Sequence, residues 1–404
     1  LALAAAGRSG RIALAAVLVL ALAIRLGFVY AQTQHQLLAV TTMAPDSARY
    51  LSLADSLLAG EGFSYHGREP TAADPPGYPL FLAGLAAAFG PGLWPVYLAQ
   101  ALLSAATVWL VAALARRLFG PGAGLAAGLL AAVDPLLFLF VATPLTETLY
   151  TFLAAGFLLL AAPPAGPVRG LAAGLAAGAA ALTRPVVAGF ALLLPAWRLA
   201  RPGGRMAAAL MAAGFCLLLG PWVARNWAAL GEFVPLTTRG GLELYAGNAP
   251  DSTGGSGGHL SWGQDVDRLP PGPPGAGGAA ESRRLTQLTL EGLARRPELI
   301  WQRLPAKLWN LWRPTWEGAS WKNRLALGGV YLAAWAGALL CLLKPRGRRG
   351  GLLWGYLLYH AVVHAAIYGI IRHRIPLEPA LLALAGGGWA WLGQRLRPAR
   401  EPAG

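Results

Sequence analysis

Ten apolar stretches follow one another along this chain, at about 12–31, 93–115, 121–140, 143–162, 168–182, 184–200, 206–224, 324–343, 351–371 and 375–394. They approach or reach the roughly 17 to 25 residues that carry a helix across a bilayer. Composition agrees: of 404 residues, 56% are hydrophobic and only 13% charged, which excludes an ordinary soluble enzyme. The expected fold is an all-α polytopic membrane protein, one integral membrane domain over 1–404 with about ten transmembrane helices. Cys216 and Cys341 both fall inside apolar stretches, so neither a disulfide framework nor a thiolate metal site is expected.

The net charge of +15 does not point to nucleic acid, because of where the cations fall. With a cytoplasmic N-terminus, the inner connections hold Arg8, Arg11, Arg116, Arg117, Arg169, Arg198, Arg201, Arg205, Lys344, Arg346, Arg348, Arg349, Arg395, Arg397 and Arg400. Glu401 is the one acid assigned to that side. This is the positive-inside bias, and it makes the basicity a matter of topology. The first apolar stretch lacks an obvious cleavage site and reads as retained.

Two outer regions, about 32–92 and about 225–323, are long enough to be more than connectors. In the first, "PDSARYLSLADSLLAGEGF" spaces Tyr50, Leu53, Leu57 and Leu58 as an amphipathic surface helix, and "PPGYPLFLAGLAAAFG" reads as interfacial. In the second, a Gly- and Pro-rich run from Ala249 to Ala280 reads as a mobile loop. Two short amphipathic helices broken at Pro297 follow it, with Trp301, Trp309, Trp312 and Trp316 suited to the headgroup layer. Gly170, Gly174 and Gly178 recur at four-residue intervals, a spacing that lets helices pack closely in lipid.

Chemistry gathers where two apolar stretches meet, at "IYGIIRHRIPLEP". Arg372, His373 and Arg374 fall on the outer side, where the positive-inside bias gives no reason for them. Stepping back by four residues gives Tyr368, His364 and His360, a polar stripe expected on one helical face. Ionisable groups within a span face a bundle interior or a wet cavity, against which stand headgroup snorkelling for the arginines and structural hydrogen bonding for the histidines. His360 and His364 have the spacing of two metal ligands, but no third ligand lies nearby in sequence. Acids accompany these cations on the outer side: Asp46 at the start of the surface helix, where it could simply cap the helix; Asp74 before a double proline, where it could form a turn; Asp134; and Glu147, entering an apolar helix. Together, outer carboxylates and arginines offer a base for an acceptor hydroxyl or amine and a clamp for a departing phosphate.

The order of these segments resembles the GT-C polyprenyl-phosphate-sugar-dependent glycosyltransferases, the group that includes protein O-mannosyltransferases and lipid A aminoarabinose transferases. The segments that carry the resemblance are "PDSARYLSLADSLLAGEGF", "DPPGYPLFLAGL", "TETLY", "LTRP", "PWVARNWAALGEFVPLTTRGGLELYAGNAP" and "RHRIPLEP", over about residues 12 to 394. The resemblance implies a GT-C-like bundle with interfacial amphipathic helices and an inverting transferase on the outer face of a bacterial cytoplasmic membrane. It also implies a polyprenyl-phosphate-linked sugar as donor and a lipid, glycan or protein as acceptor. By position, Asp46 matches the catalytic base; Asp74 and Glu147 match further acidic positions; Arg372 and Arg374, with His373 between them, match the donor-phosphate site. Arg184, Arg225, Asn226, Tyr245 and Asn248 occur in the other recurring motifs, and Tyr368 and His364 are candidates from the stripe. Asp46 is followed by Ser47 where several relatives carry two adjacent acids. No resident cofactor is called for, and a divalent metal stays open. A flippase or transporter of lipid-linked sugars is the alternative from another class, and a lipid-linked glycan polymerase the alternative enzyme.

Overall fold

Fifteen α-helices order a computed structural model that describes residues 8–35, 44–163, 166–200, 204–249, 252, 278–315, 319–343 and 347–396. They are α1 (Arg8–His35), α2 (Ala44–Leu58), α3 (Gly77–Phe89), α4 (Trp94–Phe119), α5 (Pro121–Val133), α6 (Glu147–Ala161), α7 (Pro167–Thr183) and α8 (Ala188–Leu199), followed by α9 (Arg205–Leu230), α10 (Gly240–Ala246), α11 (Gly278–Arg295), α12 (Glu298–Trp312), α13 (Trp321–Leu342), α14 (Gly351–Ala366) and α15 (Glu378–Arg395). By length and composition, four of them (α1, α4, α9 and α13) suffice to cross a membrane, while α3, α5, α6 and the Pro185–Leu199 segment containing α8 are shorter apolar helices. Most of the glycine- and proline-rich loop at 249–280, Trp316, and Arg201, Lys344, Arg346, Arg397, Arg400 and Glu401 lie outside the described residues.

Several apolar stretches are shorter as helices than hydropathy alone suggests, for local reasons. The stretch from 121 stops helically at Val133, because Asp134 turns extended and accepts a hydrogen bond from the Leu136 amide (3.0 Å), starting a 3-10 turn over Pro135–Leu137. The stretch from 184 opens with Arg184 extended before Pro185, as a residue preceding proline is driven to be, and α8 starts only at Ala188. The stretch at 351–371 leaves the helix after Ala366, and a 3-10 segment over Ile371–Leu377 carries the chain into α15.

Helix α15 is the central post, with residues 378–388 buried throughout. It approaches α5 and α13 so closely that a side chain at Gly386 would collide with the Ala123 carbonyl and one at Gly388 with the Gly337 carbonyl. The glycine stripe of α7 faces α9 in the same way. Added side chains at Gly170 and Gly174 would strike the backbone of Ala207 and Met211, and Gly214 of α9 meets the Leu171 carbonyl in return. Close backbone approach gives dispersion contacts where lipid supplies no hydrophobic drive. Buried in α1, Arg25 donates to the Ala131 and Ala132 carbonyls at the C-terminus of α5 (3.1 and 2.9 Å) and to Ser104 Oγ (2.8 Å). It thereby satisfies helix-end carbonyls that have no partner inside their own helix.

Helix α6 separates two kinds of chemistry. At its C-terminal end, Arg117, Arg169 and Arg198 donate to the carbonyls of Ala162, Leu159 and Ala161, where cations oppose the negative end of the helix dipole. Its N-terminal residue is Glu147, roughly 22 Å away at 1.5 Å per residue. At that end, α2, α3 and α10 to α12 gather. Helices α11 and α12 meet at Pro297, the expected break, with Trp301 and Trp309 exposed. In α2 the apolar face is narrower than the sequence suggests: Tyr50 and Leu53 are buried, but Leu58 is exposed.

Candidate active site

Six charged side chains at this end form an unbroken alternation of acid and guanidinium. Asp74 Oδ2 accepts from Arg49 Nε (3.0 Å), and Arg49 Nη2 donates to Asp46 Oδ1 (3.0 Å). The other oxygen of Asp46 accepts from Arg372 Nη1 (2.9 Å). Arg372 Nε then donates to Glu147 Oε1, which also accepts from Arg184 Nη1 (2.7 Å). Asp46 and Arg372, 326 positions apart in sequence, thus meet directly. Desolvating so many charges is tolerable only because each is paired.

Local folding brings these groups together. Asp46 lies in the first turn of α2 with Arg49 one turn on, so the pair shares a face. Pro75 and Pro76 end the first loop stiffly, and α3 starts at Gly77, which lies so close to the C-terminus of α7 that a Cβ there would sit 2.8 Å from the Leu182 carbonyl. That contact holds Asp74 near Arg184, which follows α7 directly. Tyr65 donates to Asp74 Oδ2 (2.6 Å). The segment after α9 closes over the loop before α3: Thr237 Oγ1 donates to the Ala73 carbonyl, and the Thr238 amide to that of Ala72 (2.9 Å).

The charges border a cavity of about 400 Å³, within the usual range for a small-molecule site. Asp46, Arg49, Asp74, Arg184 and Arg372 line it, with Arg239 and Glu243 from the segment after α9. Aromatic rings line it as well: His364 and His373 stack with ring centroids 4.4 Å apart, and Tyr368 tilts against His373 at 5.1 Å. Burial alone would raise the Asp46 carboxyl, but the Arg372 and Arg49 guanidiniums, through charge and hydrogen bonds, outweigh it and hold it below the usual carboxylate value. Burial raises the Glu243 carboxyl, although Tyr368 donates to its Oε2 (2.7 Å). His373 is held well below the ordinary imidazole value by burial and by His364, Arg184 and Arg372.

Of the residues expected from sequence, Asp46, Asp74, Arg184, His364, Tyr368, Arg372 and His373 line this cavity, and Glu147 stands immediately behind Arg184 and Arg372. Arg374 differs from expectation. It is buried beneath the cavity floor, donates to Glu378 Oε1 (2.7 Å) and the Arg313 carbonyl (2.6 Å), and lies 4.1 Å over the Tyr331 ring. Its neighbour two residues back points into the cavity because the 3-10 turn sends the two side chains different ways. The helical stripe is also corrected: α14 ends at Ala366, so Tyr368 and Arg372 are off the helix, and the stack runs His360, His364, His373 instead. Arg225 donates to the Phe63 and Thr71 carbonyls (2.8 and 2.6 Å) and Asn226 to that of Val234 (2.8 Å), so both brace the loops. Asn248 accepts from Lys307 Nζ (2.8 Å) and donates to the Ala366 carbonyl (2.9 Å), tying α12 to the end of α14. Tyr245, half-buried on α10, is not among the lining residues.

Sequence reasoning missed Arg49, Tyr65, Arg239 and Glu243. Arg49 was detectable, since a cation one helical turn after Asp46 in an amphipathic helix has an obvious partner. Arg239 and Glu243 flank a glycine pair at the start of α10, with nothing in their spacing to set them apart. Among the described residues no group of three or more His, Cys, Asp or Glu side chains could hold a metal ion.

A family described as dolichyl-phosphate-mannose-protein mannosyltransferase matches residues 73–225, a span that contains Asp74, Glu147 and Arg184. Among solved structures, the Archaeoglobus fulgidus oligosaccharyltransferase tethered to an acceptor peptide is similar with a TM-score of 0.53 at 12% identity. The alignment covers 87% of this chain and 46% of that one, so the likeness is one of fold and this chain spans less than half of that protein. ArnT from Cupriavidus metallidurans is similar in its apo state with a TM-score of 0.39, 16% identity and coverage of 85% and 73%. The same protein bound to undecaprenyl phosphate gives 0.40, 18%, 88% and 77%. No curated protein matches the chain.

Proposed function

We propose that the chain is a GT-C-type glycosyltransferase that transfers a sugar from a polyprenyl-phosphate carrier to an acceptor at the outer face of a bacterial cytoplasmic membrane, with inversion. The direct contact of Asp46 with Arg372 on one cavity carries this reading. A base and a phosphate clamp must stand within one substrate's length of each other, and here they touch.

The reaction breaks the bond from the sugar's anomeric carbon to the phosphate oxygen and forms one to the acceptor oxygen or nitrogen. The departing electron pair stays on the phosphate, and the acceptor's proton goes to a base. Arg372 and Arg184 are placed to hold that phosphate as charge builds on it, and guanidiniums do this with fixed, directional donors. Asp46 is the base, attacking side and leaving side being separated by the sugar ring. Clamped by two guanidiniums, Asp46 is a weak base. A donor phosphate competes for Arg372, and as that guanidinium turns to the phosphate the carboxylate regains proton affinity. Donor binding therefore arms the base. Glu147, bridged to both Arg184 and Arg372, holds the clamp while it waits.

The test is release of polyprenyl phosphate from a labelled lipid-linked monosaccharide by purified protein. Asp46→Asn is expected to lower the rate by about 10² to 10⁴. Movement of the intact lipid between leaflets without bond cleavage would support the transport alternative and overturn this reading.

A further inference from the structure

The end of α6 remote from the cavity gathers cations that the reaction above leaves unused. Arg117 from the last turn of α4, Arg169 from the first turn of α7 and Arg198 from the last turn of α8 donate to the carbonyls of Ala162, Leu159 and Ala161. Those carbonyls fall within about one helical turn, so three guanidiniums ring a single helix end. Carbonyls satisfy N–H groups but carry no net charge, and the dipole of α6 sets only about half a negative charge against three positive ones.

Among the described residues no acid accompanies them. In the bundle helices α1, α4 to α9 and α13 to α15 the acids are Glu147 and Glu378, each the first residue of its helix and each paired with arginine beside or beneath the cavity. The connections at 120, 162–166, 200–204 and 343–350 contain no Asp or Glu. Apolar surface adjoins the cations instead. Val168 and Trp197, each immediately before one of the arginines, are 81% and 53% exposed, and Leu193, one turn before Trp197 on the same face of α8, is exposed as well. Basic side chains set between transmembrane helices beside exposed apolar ones match a ligand with an anionic head and a hydrocarbon tail.

We propose that Arg117, Arg169 and Arg198 form a second lipid site, at the end of the bundle away from the cavity, that takes an anionic two-chain phospholipid. Its phosphodiester lies against the guanidiniums, which hold phosphate oxygens with fixed, directional donors, and an acyl chain runs along Leu193 and Trp197. The bound lipid ties the ends of α4, α7 and α8 to that of α6. This inference does not depend on sugar transfer; it needs only that the bundle spans a membrane.

The test is native mass spectrometry of the full-length protein released from nanodiscs that contain equal amounts of phosphatidylglycerol and phosphatidylcholine. The wild type is expected to retain phosphatidylglycerol about tenfold over phosphatidylcholine, the worth of one charge-assisted contact; equal retention overturns the site outright. Arg169→Gln with Arg198→Gln should abolish the preference. Arg169→Lys with Arg198→Lys keeps both charges, guards against a Gln pair that fails to fold, and should preserve most of it. Arg8→Gln with Arg11→Gln removes the same charge from α1 and should leave the preference unchanged. An equal loss in that α1 pair, or a preference that survives in the folded Gln pair, means diffuse attraction to the membrane and overturns the site. Displacement of phosphatidylglycerol by inorganic phosphate overturns the lipid class in favour of a soluble anion. If the Gln pair loses affinity for polyprenyl phosphate together with phosphatidylglycerol, the carrier belongs at this end of α6, and this site and the proposed active site fall together; retained carrier affinity separates the two failures.

Discussion

Each oxygen of Asp46 accepts from a different guanidinium, Arg49 on its own helix and Arg372 from the far end of the chain. Two consequences follow for titration. In the free enzyme the carboxyl lies below its ordinary value of about 3.9, so the acid limb of kcat/KM should fall below that point. Once donor phosphate draws Arg372 away, the acid limb of kcat should lie higher; pH profiles at saturating and limiting donor check this, and coincident limbs would refute the exchange of Arg372. The same depression is a stability term. Its contribution is fully present above the unfolded-state value and disappears as pH falls through the lower folded-state value, so Asp46→Asn should flatten the acid side of a melting profile. Arg372→Ala leaves Asp46 and Glu147 without a shared partner and should cost about 3 to 5 kcal/mol, read as a lowered melting temperature together with loss of transfer.

At the scale of elements, the helices α7 and α9 depend on absent side chains. Gly174→Val puts atoms where the Met211 backbone lies, and overpacking of about 1 to 3 kcal/mol or more is expected, measured as earlier thermal unfolding in detergent. Arg374 belongs at this scale too. It joins the turn before α15 to the residue after α12 through the Arg313 carbonyl, so Arg374→Ala should destabilise the fold, while folded protein keeps its affinity for polyprenyl phosphate. Loss of that affinity with unchanged melting would return Arg374 to the phosphate site. The apolar helices and the glycine contact were legible in sequence because period and hydropathy are properties of single segments. Helix ends were less so, since they turn on single residues such as Asp134, Arg184 and Ile367. Arg25 was overlooked in a span that hydropathy treats as uniform, although a charge there demands partners and finds them on α4 and α5.

Across the whole molecule, the bundle puts residues from both ends of the chain at one end of α6, and that convergence is the basis of the proposed chemistry. Sequence order made Asp46, Asp74, Glu147 and Arg372 candidates, because charge next to an apolar segment needs a reason. It did not reveal that these residues form one alternating chain, since pairing across 326 positions is a property of helix packing. Nor could it separate Arg372 from Arg374, two identical side chains whose directions are set by a 3-10 turn. The most direct measurement is an experimental structure of the protein with polyprenyl phosphate bound. The phosphate is expected within hydrogen-bonding distance of Arg372, whose bond to Asp46 is broken or lengthened. A phosphate seated at the arginine-rich opposite end of α6, or bound with the Asp46–Arg372 pair undisturbed and out of reach, would contradict it.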